Sequence, residues 1–410
     1  TFGKRPNAFI KKELFDELNS GKLSQEIANK NVKRILELAF KSPVFTDYKY
    51  SNQPNLTQNS QVARNAASEG MVLLKNDNNA LPFSSKNEVV SVFGVTSYDF
   101  ITGGTGSGSV NNKHTVSLLE GLNNAGFKID QELTNLYVPF TEKAAFAERE
   151  RRKSQGILAL PQRLPEMEMT EDFINKQAEN SAIAFLTLGR NSGENGDRVV
   201  DNDFNLGKDE IVLIDKFSKA FHAKGKKVVV ILNIGGVIET ASWKDKVDAI
   251  LLAWQPGQEG GNSVADVLAG KVNPSGKLTM TFPMKYEDIP SAKNWLGTPA
   301  ENPKEVTYEE GIYVGYRYFN TFKVKPSYEF GFGKSYTDFS YSDLKLSNST
   351  FKNNLKVTVK ITNTGKVSGK EIVELYLSAP QKLVDKPNAE LKAFAKTKEL
   401  KPGESEIVTM

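Results

Sequence analysis

Apolar and polar residues repeat with a helical period at the start of the chain. The pattern predicts one helix over residues 8–18 and a second that begins after Ser24, whose hydroxyl suits a helix N-cap, and continues to Ala39. A polar linker rich in Asn and Gln follows. Two such helices are too few for a domain, so we interpret residues 1–58 as the helical tail of an upstream domain plus a linker.

From residue 59 onward, short apolar runs of strand length alternate with amphipathic helical segments. The predicted strands cover 89–95, 182–188, 228–233 and 249–253, and the predicted helices cover 63–73, 116–124, 209–224 and 261–269. Apolar strands separated by helices favour a mainly parallel sheet with helices on both faces. We therefore predict an α/β sandwich domain over residues 59–305, with a charged, solvated insertion at 145–179.

The last part of the chain changes to the period of two that is typical of half-buried strands. After a connector over 306–337 that is rich in Pro, Tyr and Gly, apolar residues alternate in runs such as Leu355 to Ile361, and turn signals such as Asn363-Thr364-Gly365 separate the runs. About four or five strands are present, whereas a β-sandwich of this type usually needs ~7. We predict an incomplete all-β sandwich over 338–410, which we expect to be truncated.

Composition excludes several classes of function. The 53 Lys and Arg residues exceed the 49 Asp and Glu residues by only four, which argues against a nucleic acid partner, and no apolar run is long enough for membrane insertion. Cysteine is absent, so disulfides, thiolate metal sites and cysteine nucleophiles are excluded, and only two histidines occur. We expect no metal and no cofactor, and hydrolytic chemistry would rest mainly on carboxylates, hydroxyls and lysines.

A glycine-rich loop over residues 103–108 follows the first predicted strand of the sheet. Its glycines alternate and lie well beyond the strand, whereas the dinucleotide-binding fingerprint places Gly-x-Gly-x-x-Gly directly after a strand. Glycines still allow a backbone to approach a ligand closely, which would present Ser107 or Thr105 to it. A merely flexible turn is the alternative interpretation.

A second candidate loop, residues 189–198, directly follows the predicted strand 182–188 and contains Glu194 between glycines. Open α/β sheets bind ligands at the carboxyl ends of their strands, so Glu194 is placed where a general acid is needed. Arg190, Asp197 and Arg198 could tune its charge. A salt-bridged turn is the alternative interpretation.

Six longer sequence motifs are spread along the chain. They are AASEGMVLLKN at 66–76, NSGE at 191–194, WQPGQEGG at 254–261, PSGKLTMTFP at 274–283, GIYVGYRY at 311–318 and FGFGKSY at 330–336. In order and spacing they resemble family 3 glycoside hydrolases, the β-glucosidase family. The helix around residues 22–36 resembles the one that closes the family's (β/α)8 barrel, and the β-rich end resembles its fibronectin type III domain.

The resemblance implies a retaining hydrolysis by two carboxylates. In that family an aspartate on the barrel attacks the anomeric carbon, and a glutamate of the α/β sandwich protonates the leaving oxygen. Glu194 matches that glutamate. Ser107 matches a residue that contacts a sugar hydroxyl in the first subsite. The nucleophile motif would lie upstream of Thr1. We therefore expect this chain to hold the acid/base half of an active site and to be inactive alone.

The resemblance thus favours an exo-acting β-glucosidase that removes terminal β-linked glucose from oligosaccharides or glycosides. A β-xylosidase and an inactive carbohydrate-binding or structural fragment are the alternatives. The expected partners are the β-glucoside substrate and the missing barrel domain, with a homodimer left open, and the family implies a periplasmic or secreted location. Tyr98, Trp254 and Trp295 could offer sugar platforms, although such aromatics more often pack in a core.

Overall fold

A computed structural model describes residues 7–110, 112–156, 159–192, 198–300 and 302–410, with side chains from residue 11 onward. The chain divides into two compact units, residues 1–56 and 57–410. The first unit contains α1 (Asn7–Asn19) and α2 (Gln25–Phe40). The Ser24 hydroxyl accepts a hydrogen bond from Glu26 N at 3.2 Å, which confirms the predicted N-cap of α2.

A six-stranded sheet forms the centre of the second unit. Its strands in chain order are β1 (Val72–Asn76), β2 (Val89–Phe93), β3 (Lys128–Ile129), β4 (Ile183–Arg190), β5 (Lys227–Ile234) and β6 (Ala249–Leu252). Their spatial order is β1-β6-β5-β4-β2-β3, and all neighbours pair in parallel except β1, which is antiparallel to β6. The predicted mainly parallel sheet is confirmed.

Helices cover both faces of this sheet. They are α3 (Leu56–Gly70), α4 (Leu118–Asn124), α5 (Gln131–Gln155), α6 (Glu171–Asn180), α7 (Lys208–Ala223) and α8 (Gly260–Leu268). Along β5, Val228 and Val230 belong to the core cluster that includes α5, α6 and α7, whereas Val229 and Ile231 belong to the cluster that includes α4 and α8. Because successive strand residues point to opposite faces, one strand contributes to two cores. The predicted α/β sandwich is confirmed.

The predicted helix 63–73 is wrong at its end. The helix α3 ends at Gly70, and Leu73 lies in β1, where it pairs with Leu251 of β6. Val72 and Leu73 are both completely buried although they point to opposite faces of the sheet. A strand that is buried on both faces has a continuous apolar run, which local periodicity cannot distinguish from the end of a buried helix.

The segment 145–179 is solvated only in part. The end of α5 is exposed and carries the ion pair Lys153–Glu150 at 2.6 Å. In α6, however, Ile174 and Ala178 are buried in the core, and Glu166 is also buried. The prediction was wrong for this second half because a helix that contributes only a few apolar residues looks polar in sequence.

After α8 the chain forms a few short elements and then, over the predicted all-β region 338–410, antiparallel strands. It contains β7 (Phe282–Pro283), α9 (Tyr316–Phe322), β8 (Pro326–Tyr328), β9 (Phe339–Leu346), β10 (Val357–Asn363), β11 (Ile372–Leu377), β12 (Glu390–Lys396) and β13 (Ser405–Thr409). Strand order is β13-β10-β9 in one sheet and β11-β12 in another, with Val359, Ile361 and Val373 in their common core. Across the described ranges, we find no helix with the length and apolarity that a membrane span requires.

Candidate active site

The loops that follow the parallel strands meet at the carboxyl edge of the sheet. At the end of β5, the buried Asn233 side chain joins two of these loops. Its amide oxygen accepts from Ile101 N at 2.7 Å, and its amide nitrogen donates to Ile101 O at 2.9 Å and to Trp254 O at 2.7 Å. One amide therefore holds the loop after β2 against the loop after β6. Sequence reasoning missed Asn233, because a single polar residue at the end of an apolar strand has no periodic signal.

The two loops singled out from the sequence contact each other directly. Thr105 N donates to Ser192 O at 2.9 Å, and the Thr105 hydroxyl donates to the same oxygen at 3.2 Å. The Ser192 hydroxyl in turn donates to Gln255 Oε1 at 2.9 Å. A Cβ atom on Gly235 would lie 2.3 Å from the Ser192 hydroxyl, so the loop after β5 can approach only because this residue is glycine.

Ser107 lies on an exposed turn, Gly106–Gly108, two residues beyond the Thr105 contact. Glu194 and Asp197 fall in residues 193–197, which lie outside the described residues. Their described neighbours, Ser192 and Arg198, both line a cleft of about 960 Å³ together with Thr105. The structure therefore places the Ser107 loop and the start of the Glu194 loop in contact at the wall of one cleft.

Two arginines at the wall of this cleft form ion pairs with carboxylates of α7. Arg190, at the end of β4, is 2% exposed, and its guanidinium makes two bonds of 2.7 Å to the two carboxylate oxygens of Glu210, which is 1% exposed. Arg163 makes a similar bidentate pair with Asp209, at 2.8 and 2.9 Å. The sequence indicated Arg190 only as a charge near Glu194 and did not indicate its partner in α7.

Glu166 is a buried carboxyl at the same edge of the sheet. Its two oxygens accept from Val95 N, two residues after β2, at 3.2 and 3.3 Å. Burial, and then the negative charge of Glu210, raise the pKa of Glu166 to about 8. Acidic side chains are numerous here, yet no group of three or more His, Cys, Asp or Glu in the part of the chain that the structure describes could hold a metal ion.

The three candidate aromatic platforms differ in their surroundings. Tyr98 stacks on Tyr137 with ring centroids 4.9 Å apart and donates its hydroxyl hydrogen to Val92 O, so it is a packing residue. Trp254 packs against the core two residues after β6, with a φ of +56° that is unusual for a large side chain. Trp295 is half exposed. The expectation of core packing is therefore confirmed for Tyr98 and Trp254.

Comparison with known families identifies the fold that presents this cleft. Residues 71–316 match the glycosyl hydrolase family 3 C-terminal domain, and residues 371–410 match a fibronectin type III-like domain. The chain belongs to glycosyl hydrolase family 3. The predicted resemblance is confirmed for the α/β sandwich and for the fibronectin type III-like end, since the first match includes every parallel strand of the sheet and the second includes β11, β12 and β13.

Individual β-glucosidases are similar to most of this chain. β-Glucosidase A of Butyrivibrio fibrisolvens is 37% identical over 382 residues, which cover 84% of this chain and 44% of that protein. Thermostable β-glucosidase B of Acetivibrio thermocellus is 34% identical over 403 residues, which cover 97% of this chain and 48% of that protein. The chain thus spans about half the length of these relatives.

Solved structures of β-glucosidases share the fold. β-Glucosidase 3B of Thermotoga neapolitana, in complex with α-D-glucose, superposes with a TM-score of 0.88 at 45% identity, over 97% of this chain and 55% of that one. A GH3 β-glucosidase of Bifidobacterium adolescentis superposes with a TM-score of 0.80 at 28% identity, over 99% of this chain and 55% of that one.

Proposed function

We propose that this chain supplies the acid/base half of the active site of a retaining exo-β-glucosidase, with Glu194 as proton donor and Ser107 as a sugar-hydroxyl contact. One observation carries the proposal: the loop with Ser107 and the loop that leads to Glu194 are hydrogen-bonded through Thr105 and Ser192 beside a cleft at the carboxyl edge. The similar proteins are β-glucosidases, which supports glucose as the sugar in preference to xylose.

The mechanism needs a second carboxylate, which we propose comes from a barrel domain outside this chain. In the first step that carboxylate forms a bond to the anomeric carbon while Glu194 donates its proton to the departing glycosidic oxygen. In the second step Glu194 takes a proton from water, whose oxygen displaces the enzyme carboxylate and releases glucose. Retention requires the two carboxyl groups to lie about 5–5.5 Å apart, which leaves no room for an intervening water in the first step.

The stereochemistry of the first product tests this function. The chain would be expressed as one polypeptide with a family 3 barrel domain and supplied with an aryl β-glucoside, while proton NMR follows the anomeric signal. We expect β-glucose to appear first and the α anomer to accumulate later by mutarotation. Initial α-glucose would contradict retention, and preferential cleavage of an aryl β-xyloside would favour the β-xylosidase. If the fused polypeptide released no sugar, the inactive carbohydrate-binding fragment would be favoured.

Ser107→Ala should weaken catalysis modestly in that polypeptide. The loss of one hydrogen bond to a neutral sugar hydroxyl costs on the order of 1 kcal/mol, which corresponds to roughly fivefold in kcat/KM. The measurement is steady-state kinetics on an aryl β-glucoside. Ser109→Ala is the matched control, because Ser109 is exposed in the same loop two residues further on. Equal kinetics for Ser107→Ala and the unchanged protein would remove Ser107 from the site.

The family also indicates a location and an assembly for the protein. We propose a periplasmic or secreted enzyme whose principal partner is the barrel domain, with a homodimer as a further assembly. Fractionation of the producing cells and light scattering of the purified protein test these two points.

A further inference from the structure

A second cavity lies where the α/β sandwich meets the β-rich end of the chain. Its volume is about 400 Å³, within the range of ~300–1,000 Å³ that is typical of small-molecule sites. The wall comes from the segment 277–281 before β7, the region 316–333 that contains α9 and β8, and β11. Asn320 and Glu329 on this wall are exposed, so the cavity opens to solvent. Its lining residues differ from those of the cleft at the carboxyl edge.

Three aromatic residues on the wall of this cavity pack together. The Tyr316 ring lies 4.7 Å from the Phe330 ring and 5.8 Å from the Tyr376 ring, measured between ring centroids. The Tyr316 hydroxyl accepts a hydrogen bond from Leu391 N at 2.9 Å, which holds the cluster against β12. The cavity therefore has an apolar aromatic surface, which suits a ligand that presents a face of C–H bonds.

A carboxylate lies beside these rings. One oxygen of Glu374 accepts a hydrogen bond from the Tyr376 hydroxyl at 2.6 Å. Gly331 has a φ of +82°, and a Cβ atom there would overlap Glu374 Oε2, so the carboxylate can take this position only because residue 331 is glycine. A carboxylate has about four acceptor positions, and in the described part of the chain Tyr376 fills one of them. Glu374 can therefore accept further hydrogen bonds from a ligand.

The cation on the same wall is held by the protein. Lys277 Nζ donates to Gly333 O at 2.8 Å and lies 3.2 Å from Glu371 Oε1. An ammonium group has three N–H donors, so a third is left for a ligand. The wall thus combines an acceptor at Glu374, donors at Lys277 and Asn320, and aromatic rings.

A neutral sugar satisfies all of these groups. Each sugar hydroxyl both donates and accepts hydrogen bonds, and the C–H bonds of a pyranose ring form an apolar face. An organic ammonium would suit the aromatic rings and Glu374, but the positive charge of Lys277 would repel it. The mixed charges of the wall therefore favour the neutral ligand.

We propose that this cavity is a sugar-binding site separate from the cleft, in which a pyranose ring lies against the aromatic cluster and donates hydroxyl hydrogens to Glu374. The site would hold a sugar without cleaving it. The inference does not depend on Glu194 or on the proposed hydrolysis, because the cavity and the cleft are lined by different residues.

Titration of the purified chain with methyl β-D-glucopyranoside, followed by saturation-transfer difference NMR, tests this site. We expect saturable binding that Glu374→Gln weakens by roughly tenfold, because a neutral amide oxygen replaces a charged acceptor. Glu406→Gln is the matched control. Glu406 is also a half-buried glutamate on a strand of the β-rich end, and it accepts from Lys398 N at 2.9 Å outside the cavity. It should leave the affinity unchanged.

A second variant tests the cavity by its shape. Ala389 lines the wall just before β12 and is half-buried, so Ala389→Phe places a ring in the space that the sugar would occupy. We expect the affinity to fall by at least tenfold. Circular dichroism checks that each variant is folded, and Ala389→Phe decides the question if Glu374→Gln does not fold.

Three results would overturn the proposal. The first is that the glucoside does not bind the unchanged chain. The second is that tetramethylammonium binds in a parallel titration and the glucoside does not, which would make the cavity a cation site. The third is binding that Ser107→Ala weakens but Glu374→Gln and Ala389→Phe do not. The sugar would then lie in the cleft, which would support the proposed function while removing this second site.

Discussion

Glu194→Gln in the polypeptide that includes the barrel domain should lower kcat/KM for cellobiose by roughly 10²–10⁴-fold, the usual contribution of positioned proton transfer. Alkyl glucosides should behave in the same way, because their leaving oxygens are also strongly basic. For 2,4-dinitrophenyl β-glucoside the first step should keep most of its rate, since the departing phenolate needs no proton. The measurement is steady-state kinetics on the matched set of glucosides.

Azide should restore turnover in the same variant. Glutamine cannot remove a proton from water, so the glycosyl-enzyme should accumulate once the activated substrate has reacted. Azide is a small anion that attacks the anomeric carbon without general-base help, so it should raise kcat and yield β-glucosyl azide. Identification of this product by mass spectrometry and NMR would connect the rescue to the lost base.

A uniform loss on all substrates, with no response to azide, would make Glu194 a structural residue. The acid would then lie among the neighbouring carboxylates Asp197, Asp201 and Asp203. The surroundings of Asp201 and Asp203 differ in the structure, and they favour Asp201 as the next candidate acid. Asp203 is bound to Arg198 and Val199 N, whereas Asp201 is exposed on the wall of the cleft. Asp201→Asn would be the next variant to measure.

The sheet could be predicted from the sequence because its main signal is local. Runs such as Val228 to Leu232 are apolar at every position, and each strand of a sheet that is covered on both faces must have that composition. The N-cap at Ser24 is equally local, since the side chain bonds to an amide two residues away. The β1 strand was missed for the converse reason, because its pairing with β6 joins residues far apart in the chain.

The contacts that shape the candidate site are mostly between distant residues. Arg190 and Glu210 are 20 residues apart, Ile101 and Asn233 are 132 apart, and Val95 and Glu166 are 71 apart. No periodicity connects such pairs, so the sequence indicated the loops that border the cleft but not the buried groups that hold them. The loop positions followed from a general rule for open α/β sheets, that ligands lie at the carboxyl ends of the strands.

The two buried glutamates at this edge differ in how their charge is compensated. Glu210 accepts two hydrogen bonds from the Arg190 fork and a third from Gly207 N at 2.8 Å. Glu166 accepts hydrogen bonds from Val95 N, but it also faces the negative charge of Glu210 and Asp209, which the guanidinium of Arg163 offsets only in part. Burial without a dedicated cation raises the pKa of Glu166 to about 8.

The free energy of unfolding should therefore decrease as pH rises between the pKa of Glu166 in the unfolded chain and its pKa in the folded chain. In the unfolded chain this carboxyl titrates near 4.5, whereas in the folded chain its pKa is about 8. Between these values the folded state holds a proton that the unfolded state has lost, so the free energy of unfolding decreases with increasing pH. The stabilising contribution of the protonated carboxyl is complete below pH 4.5 and is lost by about pH 8.

Glu166→Gln should remove this dependence, because the amide cannot ionise but its oxygen can still accept from Val95 N. Relative to the unchanged chain, we expect the variant to gain on the order of 3 kcal/mol in the free energy of unfolding between pH 5 and pH 8. Urea unfolding at pH 5, 6.5 and 8 measures the difference. Glu168→Gln is the matched control, since Glu168 lies two residues away on the same segment but is exposed. The contrary result is a difference in the free energy of unfolding, between Glu166→Gln and the unchanged chain, that does not grow with pH. Glu166 would then be ionised in the folded chain throughout this range, because the positive charge of Arg163 outweighs the burial of the carboxyl.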